Sequence, residues 1–131
     1  MRLLLDTHVA LWSVTADDRL SKSAAGLIAD ASNAIAVSIA SLWEIAIKHA
    51  IVRRGAPAMP ISARQAAAHF EAAGFRILDA QAAHIFAVEE LPMVHADPFD
   101  RLIVAQARAE GLTLLTSDAT VARYPGDVRK V

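Results

Sequence analysis

The chain reads as an α/β domain built on a central, mostly parallel sheet with helices on both faces. Three observations predict it. Short apolar runs that end in polar residues read as buried strands, and longer segments of helical period lie between them. No repeat, low-complexity segment or long linker interrupts the 131 residues, which suits a single domain over 1–131. Strands that alternate with helices need crossover connections, and crossovers put the strands parallel.

The first strand is Leu3-Leu4-Leu5, ending at Asp6-Thr7. Residues 9–14 look helical, 15–18 form a turn, and 21–31 make a second helix with Leu27 and Ile28 on its apolar face. Ala34-Ile35-Ala36-Val37 is a second buried strand, followed by a long apolar helix over 39–51. The stretch from Arg53-Arg54-Gly55 to Pro60 is the clearest break in the chain. Ser62 caps a helix that reaches Ala73 and stops at Gly74. Residues 75–78 form a third strand and 80–91 a further helix. Asp97-Pro98 opens a helix running to Gly111, because Asp caps well and Pro is pre-set for the first helical position. Residues 112–115 make a fourth strand that ends in Thr116-Ser117-Asp118, and 128–131 can add a short edge strand.

Composition removes several function classes. Thirteen Lys and Arg balance fourteen Asp and Glu, a net charge of −1, so bulk positive charge is not the basis of any nucleic-acid binding. Local basic patches, or a site where metal ions supply the positive charge, stay open. Without cysteine there are no disulfides, thiolate nucleophiles or Cys-rich zinc sites, which fits a reducing compartment. Hydrophobic residues make up 55% and rule out disorder, although much of that share is alanine, so the mean hydropathy of +0.36 overstates the core. Aromatic residues are only 5%, too few for rows of rings that stack single-stranded bases. Asp6 and His8 interrupt the N-terminal apolar run too early for an export signal, and no apolar run approaches a bilayer span. A soluble, cytoplasmic protein is expected.

In parallel sheets ligands bind beyond the carboxyl ends of the strands. Asp6 lies directly beyond the first strand, Glu44 sits in the helix after the second, and Asp118 follows the fourth. Asp97 and Asp100 open the helix before that fourth strand. Each acid has a plain reading: Asp6, Asp97 and Asp118 suit caps, Asp100 complements a helix dipole, and Glu44 can pair with Lys48 one turn later. Together they do not suit stability, because two carboxylates about 5 Å apart repel by roughly 3 kcal/mol at an effective dielectric near 20. Such a cluster takes up protons or a cation. Oxygen-only ligands point to Mg²⁺, or Mn²⁺ in its place, and phosphodiester hydrolysis is chemistry that such an ion serves.

Four segments then carry a family likeness in order: Leu3-Leu4-Leu5-Asp6-Thr7-His8, Ser41-Leu42-Trp43-Glu44-Ile45, His95-Ala96-Asp97-Pro98-Phe99-Asp100-Arg101 and Leu114-Leu115-Thr116-Ser117-Asp118. Across essentially the whole chain the sequence resembles a PIN-domain ribonuclease, most closely the VapC-type toxins of bacterial toxin–antitoxin pairs. The resemblance implies a three-layer α/β/α fold and RNA cleavage with Mg²⁺ or Mn²⁺ in an acidic pocket. It also implies a homodimer, and a cognate antitoxin that covers the pocket. Asp6, Glu44 and Asp118 fall on the family's metal-site acids. Asp100 is favoured over Asp97 for the remaining one, with Asp97 as cap or supporting carboxylate, and Thr116 matches a hydroxyl that orients Asp6 or a metal-bound water.

Other residues have open roles. His95 and His8 can line the pocket, Arg101 can bind RNA or pair with Asp97, and Arg53-Arg54 can contact phosphate. Trp12 and Trp43, set in apolar runs, read as core or dimer-interface residues rather than stacking platforms. A response-regulator receiver domain would need paired acids after the first strand and a late lysine, where this chain has Thr7-His8 and Asp118. A haloacid-dehalogenase phosphatase needs an aspartate where His8 stands. A catalytically dead binding module is the remaining alternative.

Overall fold

A computed structural model describes all residues, 1–131. Seven strands and six helices follow in the order β1 (Arg2–Leu5), α1 (Thr7–Val14), α2 (Lys22–Ala29), β2 (Ala34–Ser38), α3 (Ile39–Ala50), β3 (Val52–Arg53), β4 (Ala56–Pro57), α4 (Ala63–Ala72), β5 (Arg76–Leu78), α5 (Ala82–Glu89), α6 (Pro98–Glu110), β6 (Thr113–Thr116) and β7 (Val128–Lys130). Five of the strands form one sheet in the order β5-β2-β1-β6-β7, and every pairing in it is parallel. The expected three-layer α/β/α architecture is what the chain adopts.

Register explains the layers. Leu3, Leu5, Ile35, Val37 and Leu115 project to one face and pack with Val9 and Leu11 of α1 and with Ala66 and Phe70 of α4. Leu4, Ala36, Leu78 and Leu114 project to the other, against Ile103, Val104 and Ala107 of α6. Because β1 carries leucine on both faces, it is the buried central strand. Its two neighbours, β2 and β6, come from opposite ends of the chain, so the strand order reverses at β1. That reversal opens the crevice in which doubly wound sheets bind ligands.

Four readings need correction. The first helix starts at Thr7, two residues earlier than the apolar period suggests, because the Asp6 carboxylate caps it at once. The break at 53–60 contains a two-residue hairpin, β3 with β4, turning on Arg54 and Gly55 at φ +54° and +79°. Both central residues of that turn are left-handed, as a tight hairpin requires, and arginine is an unusual occupant of the first. The long apolar helix, α3, is buried along one side only: Ile39, Trp43 and Ile47 stay exposed, Trp43 by 58%. Of the two places read for the tryptophans, core and dimer interface, only the core is overturned: Trp43 is exposed, and Trp12 is half-buried and stands outside both apolar clusters.

No helix is long and apolar enough to cross a membrane. The core depends on large rings as well as leucine. Phe70 is fully buried and stacks on Phe75 at 6.2 Å. Phe70→Ala is expected to cost about 3–5 kcal/mol, read as a lower denaturant midpoint at unchanged slope.

Candidate active site

Asp6 stands at the carboxyl end of the central strand with both oxygens occupied. Its Oδ1 accepts from the Val9 N–H at 2.9 Å, which starts α1, and its Oδ2 accepts from the Thr116 hydroxyl at 2.5 Å and the Ser117 N–H at 3.3 Å. The carboxylate thus ties the end of β1 to the end of β6 across the switch point. Burial pushes its carboxyl above the usual range, against the hydrogen bonds from Thr116 and Val9, which pull it down.

Glu44 lies on the buried side of α3 at 4% exposure. Its Oε1 accepts from the Thr7 hydroxyl at 2.7 Å, and that hydroxyl stands 2.9 Å from Ser41 Oγ. Its Oε2 takes Lys48 Nζ at 2.5 Å. The plain partner one turn along is therefore present, and its charge sits in the same pocket as the acids.

The third group comes from α6 and the loop before it. Asp97 caps the helix through Oδ1, which accepts from the N–H groups of Phe99 and Asp100 at 2.8 and 3.1 Å. Asp100, in the first turn, is pushed up to about 7 by burial and by the charges of Asp97 and Glu44; His95 pulls it down, and Asp6 adds to the upward push. Asp118 follows β6: its N–H donates to Thr116 Oγ1 at 3.0 Å, and its Oδ1 accepts from the Thr120 N–H at 2.7 Å.

His95 closes this group, with Nε2 at 3.5 Å from Asp100 and 3.7 Å from Asp118. The ligand atoms of these three residues lie within 4.8 Å of one another, a spacing that could suggest a mixed His-carboxylate metal site. The Asp97 N–H, however, donates to His95 Nδ1 at 2.9 Å. Nδ1 is then the acceptor, so in the neutral ring Nε2 carries the hydrogen and faces the carboxylates as a donor. What is left for a cation is oxygen from carboxylates, the donor set of a hard divalent ion.

These side chains line a pocket of about 170 Å³ with no apolar residue in its walls: Asp6, Thr7, His8, Glu44, Lys48, His95, Asp97, Asp100, Ser117 and Asp118. A larger cavity of about 560 Å³ opens at the opposite end of the strands, beside Ala34 and Phe75, and contains none of these acids. Chemistry and size point to different places, and the carboxyls of Asp6 and Asp100, both raised by burial, decide for the smaller.

A model of the PIN domain family matches residues 3–127. The chain belongs to the PIN domain family. Two solved structures share the fold of this PIN domain. One is VapBC2 from Rickettsia felis bound to a DNA fragment from their promoter, at 20% identity and a TM-score of 0.68, covering 99% of this chain and 98% of that one. The other is DNA-bound VapBC from Salmonella typhimurium, at 15% identity and a TM-score of 0.67, with the same coverage. No curated protein matches the chain.

The PIN fold brings Asp6, Glu44, Asp97, Asp100, Asp118, His95 and His8 into one pocket, with Thr116 beneath it. It does not bring Arg53, Arg54 or Arg101 there. Arg53 and Arg54 lie exposed on the hairpin. Arg101 makes no pair with Asp97; its guanidinium donates to the carbonyls of Pro92 and Val88 at 3.1 Å and clamps the segment before His95. Sequence reasoning missed Thr7, Ser117 and Tyr124, which touch the site through backbone or hydroxyl groups. The buried Tyr124 hydroxyl takes the His95 N–H at 2.9 Å and donates to its carbonyl at 3.0 Å.

A carboxyl raised to about 7 by folding binds a proton that the unfolded chain, with its ordinary carboxyl near 4, has lost. Metal-free protein is therefore expected to lose stability as pH rises from about 4 to about 7 and then to level off. Denaturant midpoints across that range measure it. Asp100→Asn should flatten the slope, and an equal slope in both proteins would show that another group sets it.

Proposed function

We propose that this chain is a Mg²⁺-dependent endoribonuclease of the VapC type, the toxin of a toxin–antitoxin pair. The single observation that carries the reading is the pocket at the β1/β6 switch point of a PIN fold. Carboxylates from four parts of the chain line it and outnumber the two histidines, His8 and His95, and no sulfur ligand is present. Asp6, Glu44, Asp100 and Asp118 would hold the ion, with the second oxygen of Asp97 as a further ligand and Mn²⁺ as a substitute. An ion held there supplies charge stabilisation for the phosphoryl oxygens and a water of lowered pKa.

The protein's own groups do the rest. Thr116 and the Ser117 N–H fix the Asp6 carboxylate so that it neither turns nor drifts. Lys48 brings a positive charge to the wall where a phosphate would enter, and the His95 Nε2–H is a donor at the rim. Arg53 and Arg54, on the hairpin, contact phosphates further along the strand. Arg101 acts through the segment it clamps and not on RNA. Water attacks phosphorus directly, and no side chain forms a covalent intermediate.

The partners follow from the same reading. Both solved relatives are named as VapBC pairs, which supports a cognate antitoxin. The exposed stripe of Ile39, Trp43 and Ile47 on α3 supports a homodimer, because a monomer gains nothing from leaving it bare. The protein works in the cytoplasm as one unit over 1–131. A binding module without chemistry would have no use for acids that repel one another.

Asp6→Asn keeps shape and removes charge. It is expected to weaken Mg²⁺ binding in calorimetry and to lower RNA cleavage by at least about 100-fold, the upper end of what an outer-shell partner costs, with the circular dichroism unchanged. Cleavage equal to the parent's would reject the site. Expression without a partner gene should arrest growth, and Asp6→Asn should relieve the arrest. Harmless expression of a folded, Mg²⁺-binding parent would reject the toxin role alone.

A further inference from the structure

A further cavity, of about 110 Å³, adjoins the acidic pocket, and His8 lines both. Its walls come from α1 and from the segment after the hairpin: Leu11 and Trp12 on one side, Met59, Pro60 and Ile61 on the other. Its rim is polar, with Thr15, Asp17 and Arg19. We propose that this cavity holds one unpaired nucleobase of the RNA strand beside the phosphodiester that is cut, packed against the Trp12 indole and the Arg19 guanidinium that lies over it. The proposal rests on the endoribonuclease reading and adds where that enzyme grips its substrate.

Three observations argue for a base. The first is location: a strand whose phosphate lies in the acidic pocket has its neighbouring nucleotide within reach of His8, and past His8 the cavity is the next space. The second is chemistry. A nucleobase has apolar faces and a polar edge, and the cavity has apolar walls and a polar rim. Asp17 offers acceptors and Arg19 donors there, the pair of functions a base edge reads.

The third observation is rigidity. The Arg19 guanidinium lies 5.2 Å over the Trp12 ring and is itself held by Asp17 at 2.7 and 3.0 Å. The His8 ring packs against the indole at 5.7 Å. Opposite, the Met59 carbonyl accepts from His49 Nδ1 and the Ala58 N–H donates to the Ile51 carbonyl, both at 2.8 Å. Both walls are therefore set before a ligand arrives, which spares the ordering cost of binding. One tryptophan suffices for one base, so the scarcity of aromatic residues is no obstacle.

The test combines altered RNA with altered protein. Single-stranded oligoribonucleotides with one abasic nucleotide, moved stepwise along the strand, are cleaved with Mg²⁺ by the parent, Trp12→Ala and Trp12→Phe. Abasic substitution at one fixed position next to the cut bond is expected to raise the parent's KM about 5- to 100-fold and to leave kcat nearly unchanged. Trp12→Ala should bind intact and abasic strands alike, and Trp12→Phe should restore most of the difference. Abasic strands cleaved like intact ones at every position would overturn the subsite, and this arm needs no variant to fold. A penalty that persists undiminished in folded Trp12→Ala would overturn it as well. A loss of antitoxin binding in Trp12→Ala, without any abasic penalty in the parent, would assign the cavity to the protein partner and overturn the base. If the parent cleaves no RNA, the nuclease reading itself falls and takes the subsite with it.

Discussion

Carboxylates that repel one another are forced together at the carboxyl edge of this sheet, and the surrounding structure is arranged to hold them there. Leucine on both faces of β1 buries the strand, and its end delivers Asp6 to the crevice. Any two carboxylates about 5 Å apart at an effective dielectric near 20 repel by roughly 3 kcal/mol, and each further acid adds such a term with every neighbour. The chain offsets this in different ways at each position. Lys48 neutralises Glu44, His95 faces Asp100 and Asp118 with a hydrogen, and hydroxyl or amide hydrogens meet Asp6. Asp100 meets only His95 Nε2, at 3.5 Å, and its carboxyl is lifted to about 7. Helix starts help as well, since α1 and α6 both begin at these acids and present their positive ends.

Most of the fold could be read from the chain because its strands are short and apolar on both faces. Runs such as Leu3-Leu4-Leu5 admit few other readings when helical segments separate them. What escaped reading had a physical cause in each case. The hairpin at Arg54-Gly55 lacks the Asn-Gly or Asp-Gly signal of a tight turn, so it passes for a plain break. The apolar circumference of α3 does not say whether the chain itself or another molecule covers each side. Hydropathy records the wish to be buried and not the agent.

The acids of the candidate site were legible because they follow strand ends at a parallel edge, where topology alone gathers them. Their supports were less so. Thr7 and Ser117 act through a hydroxyl or a backbone N–H, groups that carry no distinctive spacing. Tyr124 reaches His95 across 29 positions, and no local pattern announces such a contact. Arg101 shows the opposite error: a charge four residues from Asp97 on a helix start looks like its partner, yet the carbonyls of the preceding segment claim it.

The Asp6–Thr116 hydrogen bond joins positions 110 apart in the sequence. Its geometry requires β6 to be laid beside β1, and β6 is the sixth of the seven strands in chain order. During synthesis the first half of the chain can gather β1, β2 and the early helices, but Asp6 then has no opposite wall. The acidic pocket is thus complete only once β6 has left the ribosome, and a ribosome that has made only the first half of this fold carries Asp6 without its partner.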